Sequence, residues 1–230
     1  MVVFPVGLQA DAVIFDFDGV IVDTEPLHFK AFQRILVPLG LGFSWQDYVD
    51  TYMGFDDRDA FLEAFAAHDR TLAADALQSL VERKAQIFQT VIQDGIAAYP
   101  GVTELIQKLH HSRVPLAISS GALRSDITPI VQQLGIAHCF DVIVTADNVT
   151  KSKPDPESYR LASEQLHSLA GTSPDRTLAI EDTPAGIAAA KGAGLAVIGL
   201  TNSYPKELIS DATVIIDSLE ELIPFTFLQP

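Results

Sequence analysis

Asp16 and Asp18 stand one residue apart in Phe15-Asp16-Phe17-Asp18-Gly19-Val20, directly after the apolar run Ala12-Val13-Ile14-Phe15. A buried strand should end and a turn begin at this point. Residues i and i+2 of an extended chain share a side, so both carboxylates face the same space. One can attack an electrophile; the other can protonate a leaving oxygen and later deprotonate water. Gly19 lets the chain turn tightly. Without a cation the pair is electrostatically costly, and taken alone it serves equally well as an Asx-type turn opening a loop.

Three further polar clusters follow apolar runs. Ser119-Ser120-Gly121 offers a hydroxyl and turn amides of the kind that hold phosphate, although Ser-Gly turns are common. Lys153 is biased to extended backbone by Pro154; it can neutralise a nucleophile and a phosphate together, or be a solvated surface lysine. Glu181-Asp182 supplies hard oxygens suited to Mg²⁺, which keeps waters and shares a substrate phosphate. Equally, Asp182 or Thr183 can cap a helix opened by Pro184. Like charges ~4 Å apart cost on the order of 4 kcal/mol at an effective dielectric of ~20. The acids and the lysine therefore make more sense as one site than as four accidents.

The elements that must position these groups are six continuous apolar runs at 11–16, 114–119, 140–145, 177–181, 195–200 and 213–217. Continuous rather than alternating runs imply strands covered on both faces, as in a parallel sheet. Helical patterns at 103–112, 124–134, 156–167 and 184–192 alternate with them, which predicts a doubly wound parallel-sheet α/β core. Ligands bind at the carboxyl ends of such strands, where all four clusters fall. Between about Pro26 and Pro100 the pattern turns helical, at 28–39, 45–52, 57–68 and 75–94. A crossover this long is rare, so this block reads as an inserted helical cap domain, 26–95, within a core of 1–25 and 96–230. Its aromatics, Trp45 and Tyr52 among them, read as cap core.

The chain has 230 residues, 48% hydrophobic and 20% charged, enough for a substantial core and against disorder. A net charge of −15 disfavours nucleic acid and anionic membrane as partners. An anionic substrate then needs a local cation to reverse the field. No apolar stretch reaches the ~18 residues of a membrane span. The first residues lack a basic segment and cleavage site, and the single cysteine, Cys139, fits a reducing compartment. A cytoplasmic monomer is expected.

Taken in order, Asp16-Phe17-Asp18-Gly19-Val20, Ser119, Lys153-Pro154-Asp155 and Ile180-Glu181-Asp182-Thr183-Pro184-Ala185-Gly186 resemble the four motifs of the haloacid dehalogenase (HAD) superfamily. The helical insert resembles its C1 cap, in the branch with β-phosphoglucomutase, phosphoglycolate phosphatase and CbbY-like phosphatases. The resemblance implies Asp16 as a nucleophile forming an aspartyl-phosphate and Asp18 as general acid, then base. It implies Mg²⁺ held by Asp16, the Asp18 carbonyl, Asp182 and Glu181. Ser119, the Ser120 amide and Lys153 would hold the phosphoryl group, with Gly121 in the same turn. In the cap it points to His28, Arg58 and Lys84 as substrate-binding residues, although each is equally readable as an ordinary helix residue. The substrate class implied is a small phosphorylated metabolite, of sugar-phosphate or phosphoglycolate type.

Alternatives within the superfamily are weighed by residue. A dehalogenase lacks the second aspartate and the metal, unlike this chain. A phosphonatase needs a cap lysine as Schiff base, a role Lys30 and Lys84 leave open. A phosphomutase shares Thr24, His28 and Lys84, but has a Ser-Lys-Asn run after the motif-two serine where this chain has Gly121-Ala122-Leu123, and its cap arginine is one position from Arg58. Hydrolysis is expected; a mutase or a non-catalytic phospho-ligand sensor are the alternatives.

Overall fold

Ala12-Val13-Ile14-Phe15 forms a strand with all four side chains buried. The computed structural model describes residues 1–53, 55, 57–93 and 95–228. In chain order the strands are β1 (Val2–Val3), β2 (Gln9–Ala10), β3 (Ala12–Phe15), β4 (Leu116–Ser119), β5 (Val142–Val144), β6 (Thr177–Glu181), β7 (Ala196–Leu200), β8 (Val214–Ile216) and β9 (Thr226–Phe227). The helices are α1 (Glu25–Leu36), α2 (Trp45–Asp47), α3 (Asp57–Ala66), α4 (Ala74–Gln93), α5 (Val102–His111), α6 (Arg124–Gln133), α7 (Glu157–Ala170) and α8 (Pro184–Gly192). The chain divides into two compact units, Met1–Asp23 with Ala97–Pro230, and Thr24–Ile96.

In the first unit, β3 to β8 form one parallel sheet in the order β5-β4-β3-β6-β7-β8. The six apolar runs of the sequence are its six strands. The chain moves outward from β3 through β4 to β5, then returns to β6 on the other side of β3. This reversal makes a topological switch point beside β3, where α/β sheets open a crevice at their carboxyl ends. One sheet face buries Ile14, Ala117, Val144, Ala179 and Val197 against Tyr159 and Leu166 of α7 and Ile187 of α8. The alternate residues Val13, Phe15, Ile118, Ile180 and Ile198 are equally buried, so both faces are covered. The antiparallel sheet β2-β1-β9 was not expected from the sequence. Its strands are two residues each, too short to carry a period.

In the second unit, α1 packs on α4 and α3 on α4. Their core holds Phe32, Ile35, Leu36, Tyr52, Phe61, Phe65 and Leu77, with Phe43 stacked on Tyr52 at 4.2 Å and Phe32 meeting Phe61 edge-on. Two of these helices depart most from the sequence expectation. α1 starts at Glu25 because Pro26 fits the first helical turn, and its expected end becomes a 3₁₀ turn, Val37–Leu39. The expected helix 45–52 is the short α2, capped by a Ser44–Asp47 capping box and continued as a π turn, Tyr48–Tyr52. Tyr52 is buried as expected, but Trp45 is 42% exposed. It packs at the surface, edge-on to Phe29 and against Tyr48, rather than inside the core. Residues Gly54 and Asp56, and Asp94, the last residue of the expected helix 75–94, lie outside the described residues.

Candidate active site

Asp16 is the residue after β3, and its amide continues the ladder by donating to the Ile180 carbonyl at 2.9 Å. The turn that follows is closed by the Ile21 and Val22 amides on the Phe17 carbonyl, and Gly19 takes φ 79°. A Cβ at Gly19 would lie 1.8 Å from Asp182 Oδ2, so glycine is required by space as well as by conformation. Asp18 is half-buried in this turn.

Lys153 reaches into the same edge. Its Nζ donates to Asp16 Oδ1 and to Glu181 Oε1, each at 2.6 Å, and to the Ser119 carbonyl at 3.1 Å. It also lies 4.8 Å from the ring centre of Tyr159. Burial opposes its charge, but Asp16 and Glu181 hold its pKa well above the ordinary lysine value. Lys153 is therefore a permanent cation among acids, not the solvated lysine of the alternative reading.

Glu181, at the end of β6, is fully buried. Its Oε1 accepts from Lys153 and from the Tyr159 hydroxyl. Its Oε2 accepts from the Asp182 and Thr183 amides and the Thr183 hydroxyl. Gly186 makes room for it: a Cβ there would sit 1.7 Å from Oε1. Both oxygens are thus committed. This geometry suits Glu181 to hold Lys153 and the start of α8 in place, and the same carboxylate stands beside Asp16 and Asp182.

The two readings of Asp182-Thr183 divide between the residues. Thr183 takes the cap, accepting from the Gly186 amide at 3.0 Å. Asp182 is left to the site, with Oδ2 accepting from the Ser203 hydroxyl. Its Oδ1 is buried without a hydrogen-bond partner among the described residues. Burial pushes the Asp182 carboxyl up to about 7, opposed by the Ser203 hydrogen bond and reinforced by the Glu181 charge. Burial and the Glu181 charge also push Asp16 well above the usual carboxylate range, against the pull of Lys153.

One donor atom from each of Asp16, Glu181 and Asp182 lies within 4.8 Å of the others. A hard divalent cation fits this set: two carboxylates short of positive charge, one with an orphaned buried oxygen. Asp182 offers the unpartnered oxygen, and Asp16 and Glu181 complete the set.

Ser119 ends β4, and its Oγ is buried without a hydrogen-bond partner among the described residues. Ser120 departs from expectation: its amide donates to the Val144 carbonyl at 3.0 Å, so sheet pairing has taken the donor expected to hold phosphate. Its hydroxyl instead accepts from the Ala122 amide and shapes the turn. Ser120, exposed Gly121 and Lys153 line one cavity of about 60 Å³.

In the helical unit, His28 and Lys84 come together and Arg58 does not join them. Lys84 is 2% exposed; its Nζ donates to His28 Nδ1 at 2.7 Å and Asp57 Oδ1 at 2.6 Å, and it lies over the Phe32 and Phe88 rings. An ammonium can only donate, so His28 is neutral with its proton on Nε2. Desolvation and the Lys84 charge lower the His28 pKa to about 3. Arg58 is exposed and donates to Gln78.

Sequence reasoning did not single out Tyr159, Asn202, Ser203 or Asp57. Asn202, whose side-chain amide donates to the Gly19 carbonyl at 2.7 Å, and Ser203 follow β7. The rule that ligands gather at carboxyl ends of strands points to them as it did to the other four clusters. Tyr159 and Asp57 carry no linear signal; only packing brings them in.

Known proteins are similar to this chain in sequence and in fold. A model of the haloacid dehalogenase-like hydrolase family matches residues 13–200. The chain is 31% identical over 210 residues to validoxylamine A 7'-phosphate phosphatase of Streptomyces hygroscopicus subsp. limoneus, covering 91% of this chain and 94% of that one. It is 30% identical to the phosphorylated carbohydrates phosphatase of Thermotoga maritima, covering 93% and 96%. The crystal structure of CbbY from Rhodobacter sphaeroides in complex with phosphate superposes with a TM-score of 0.80 at 28% identity, covering 93% and 96%.

Proposed function

The chain belongs to the haloacid dehalogenase-like hydrolase family, and we propose that it is a Mg²⁺-dependent phosphatase of small phosphorylated carbohydrates, working through an aspartyl-phosphate at Asp16. One observation carries the reading. At a single sheet edge, Lys153 holds Asp16 at 2.6 Å, while the Ser119 hydroxyl and Asp182 Oδ1 are buried without partners. Buried polar atoms are normally satisfied. A phosphoryl group accepting from Ser119 and a cation accepted by Asp182 satisfy both together.

The steps follow from the residues. The Asp16 oxygen not held by Lys153 attacks phosphorus, and the bond to the substrate's alcohol oxygen breaks. Asp18 gives that oxygen its proton. Asp18 then takes a proton from water as the water oxygen attacks phosphorus, which releases inorganic phosphate and restores Asp16. Lys153 and Ser119 hold the phosphoryl oxygens throughout, so catalysis is mostly positioning and charge stabilisation. Asp16, Asp182 and the Asp18 carbonyl are assigned to Mg²⁺, which when bound neutralises phosphoryl charge and draws the two acids into their ionised forms. Glu181, Tyr159 and Thr183 keep Lys153 in position. The helical unit 24–96 is assigned substrate selection.

A mutase must also hold a second phosphate. After Ser119 the chain offers Gly121, Ala122 and Leu123, and the next cation, Arg124, is tied to the Ile143 carbonyl and Asn148. This favours hydrolysis. Phosphate release from sugar phosphates and phosphoglycolate, with and without Mg²⁺, tests the proposal. Phosphorus NMR on β-glucose 1-phosphate with a bisphosphate primer tests the alternative: glucose 6-phosphate formed without inorganic phosphate would overturn hydrolysis.

A further inference from the structure

At the opposite, amino-terminal edge of the sheet, a different donor set gathers. His110 closes the last turn of α5, and His138 and Cys139 lie in the 3₁₀ turn Ala137–Cys139 before β5. One ligand atom from each lies within 4.8 Å of the others. Cys139 Sγ is 3.6 Å from His138 Nε2, and the His110 and His138 rings stand perpendicular with centres 5.4 Å apart. An open cavity of about 500 Å³ lies here, lined by His110, His111, Arg113, His138 and Asp141 among others. We propose that His110, His138 and Cys139 form a binding site for a borderline-soft transition-metal ion of the Zn²⁺ class.

The donor chemistry sets this site apart from the carboxylate cluster. Two imidazoles and a thiolate suit Zn²⁺, whereas Mg²⁺ prefers oxygens. Metal–ligand bonds of about 2.0–2.3 Å place tetrahedral donors roughly 3.3–3.8 Å apart. Closing from a 4.8 Å spread needs a shift on the order of 1 Å, which rotation of the exposed His138 ring can supply. Binding forms a metal–sulfur bond and releases the Cys139 thiol proton to solvent. Neighbouring groups act in both directions. Arg113 opposes a cation and Asp141 favours one, although Asp141 Oδ2 already accepts from the Leu116 amide. His111 Nδ1 bonds the Gln107 carbonyl at 2.6 Å, which in the neutral ring leaves Nε2 with the lone pair.

Cys139 is the only cysteine in the chain, so a sulfur signal reports this site alone. Co²⁺ added to the full-length protein in Mg²⁺-saturated buffer should give a thiolate-to-cobalt charge-transfer band that saturates at one equivalent and is displaced by Zn²⁺. Cys139→Ser should abolish the band. His110→Ala and His138→Ala should each weaken Co²⁺ binding roughly tenfold or more, since losing even an outer-shell partner costs about that much. His138 is exposed, so its variant remains informative if the buried Cys139→Ser misfolds. Absence of the band in the parent protein, or an unchanged titration midpoint in both histidine variants, would overturn the proposal.

Discussion

Lys153 balances the charge of the carboxylate cluster, and its loss has two separable consequences. Lys153→Met leaves Asp16 and buried Glu181 without their shared cation. Breaking such a pair costs about 3–5 kcal/mol, readable as a lower urea midpoint. The transferring phosphoryl also loses a donor, so phosphate release should fall at least ~100-fold. Parent-level turnover in a folded Lys153→Met protein would remove Lys153 from the mechanism. Gly186→Ala tests the support behind it. The new Cβ would fall 1.7 Å from Glu181 Oε1 and force that carboxylate to move. Overpacking of this kind costs about 1–3 kcal/mol, and turnover should drop with it although Gly186 is assigned no chemical step. A Gly186→Ala enzyme with unchanged melting and turnover would contradict the role given to Glu181. At this scale the sequence made the strand-end acids and Lys153 legible, because each follows an apolar run or precedes a proline. It did not show that both Glu181 oxygens accept hydrogen bonds, or that sheet pairing takes the Ser120 amide. Those facts depend on hydrogen bonds between segments far apart in the chain.

The core strands were legible because burial on both faces removes polar residues from them, as in Ala12–Phe15 and Thr177–Glu181. Their spatial order was not, since any apolar strand can pair with any other. β1, β2 and β9 pass unnoticed because two residues define no pattern. In the helices, α1 shows what local composition conceals. His28 looks like an ordinary helix residue, yet it stacks on Phe88 at 4.3 Å and accepts from the buried Lys84. Its pKa falls from 6.5 to about 3, so the native form stays neutral while the unfolded chain takes up a proton below pH 6.5. Stability is therefore level above pH 6.5 and is lost as pH falls from there toward 3. At pH 5 the loss from this group is on the order of 2 kcal/mol. Denaturant melts of wild type and His28→Asn across pH 5–7.5 should show the acid-side slope shrink in the variant. Parallel curves over that range would contradict the assignment of His28 as a neutral acceptor for Lys84.

Over the whole molecule, a net charge of −15 is at odds with an anionic substrate. Under the proposed function the resolution is local: Lys153, with the metal assigned to Asp16 and Asp182, would reverse the field at one sheet edge. The composition alone disfavours partners that need a basic protein surface, and among the described residues no helix is long and apolar enough to cross a membrane. Composition gave no indication that, among the described residues, two clusters suited to metals of opposite chemical character lie at the two ends of one sheet. The central claim is that phosphorus is transferred to Asp16 with Mg²⁺ present. Its most direct test is phosphate release from a panel of phosphorylated carbohydrates, comparing wild type with Asp16→Asn of matched circular dichroism, each with Mg²⁺ and with chelator. Release is expected only from the wild type with Mg²⁺. Substantial release by Asp16→Asn, or release by the wild type that chelator leaves untouched, would contradict it.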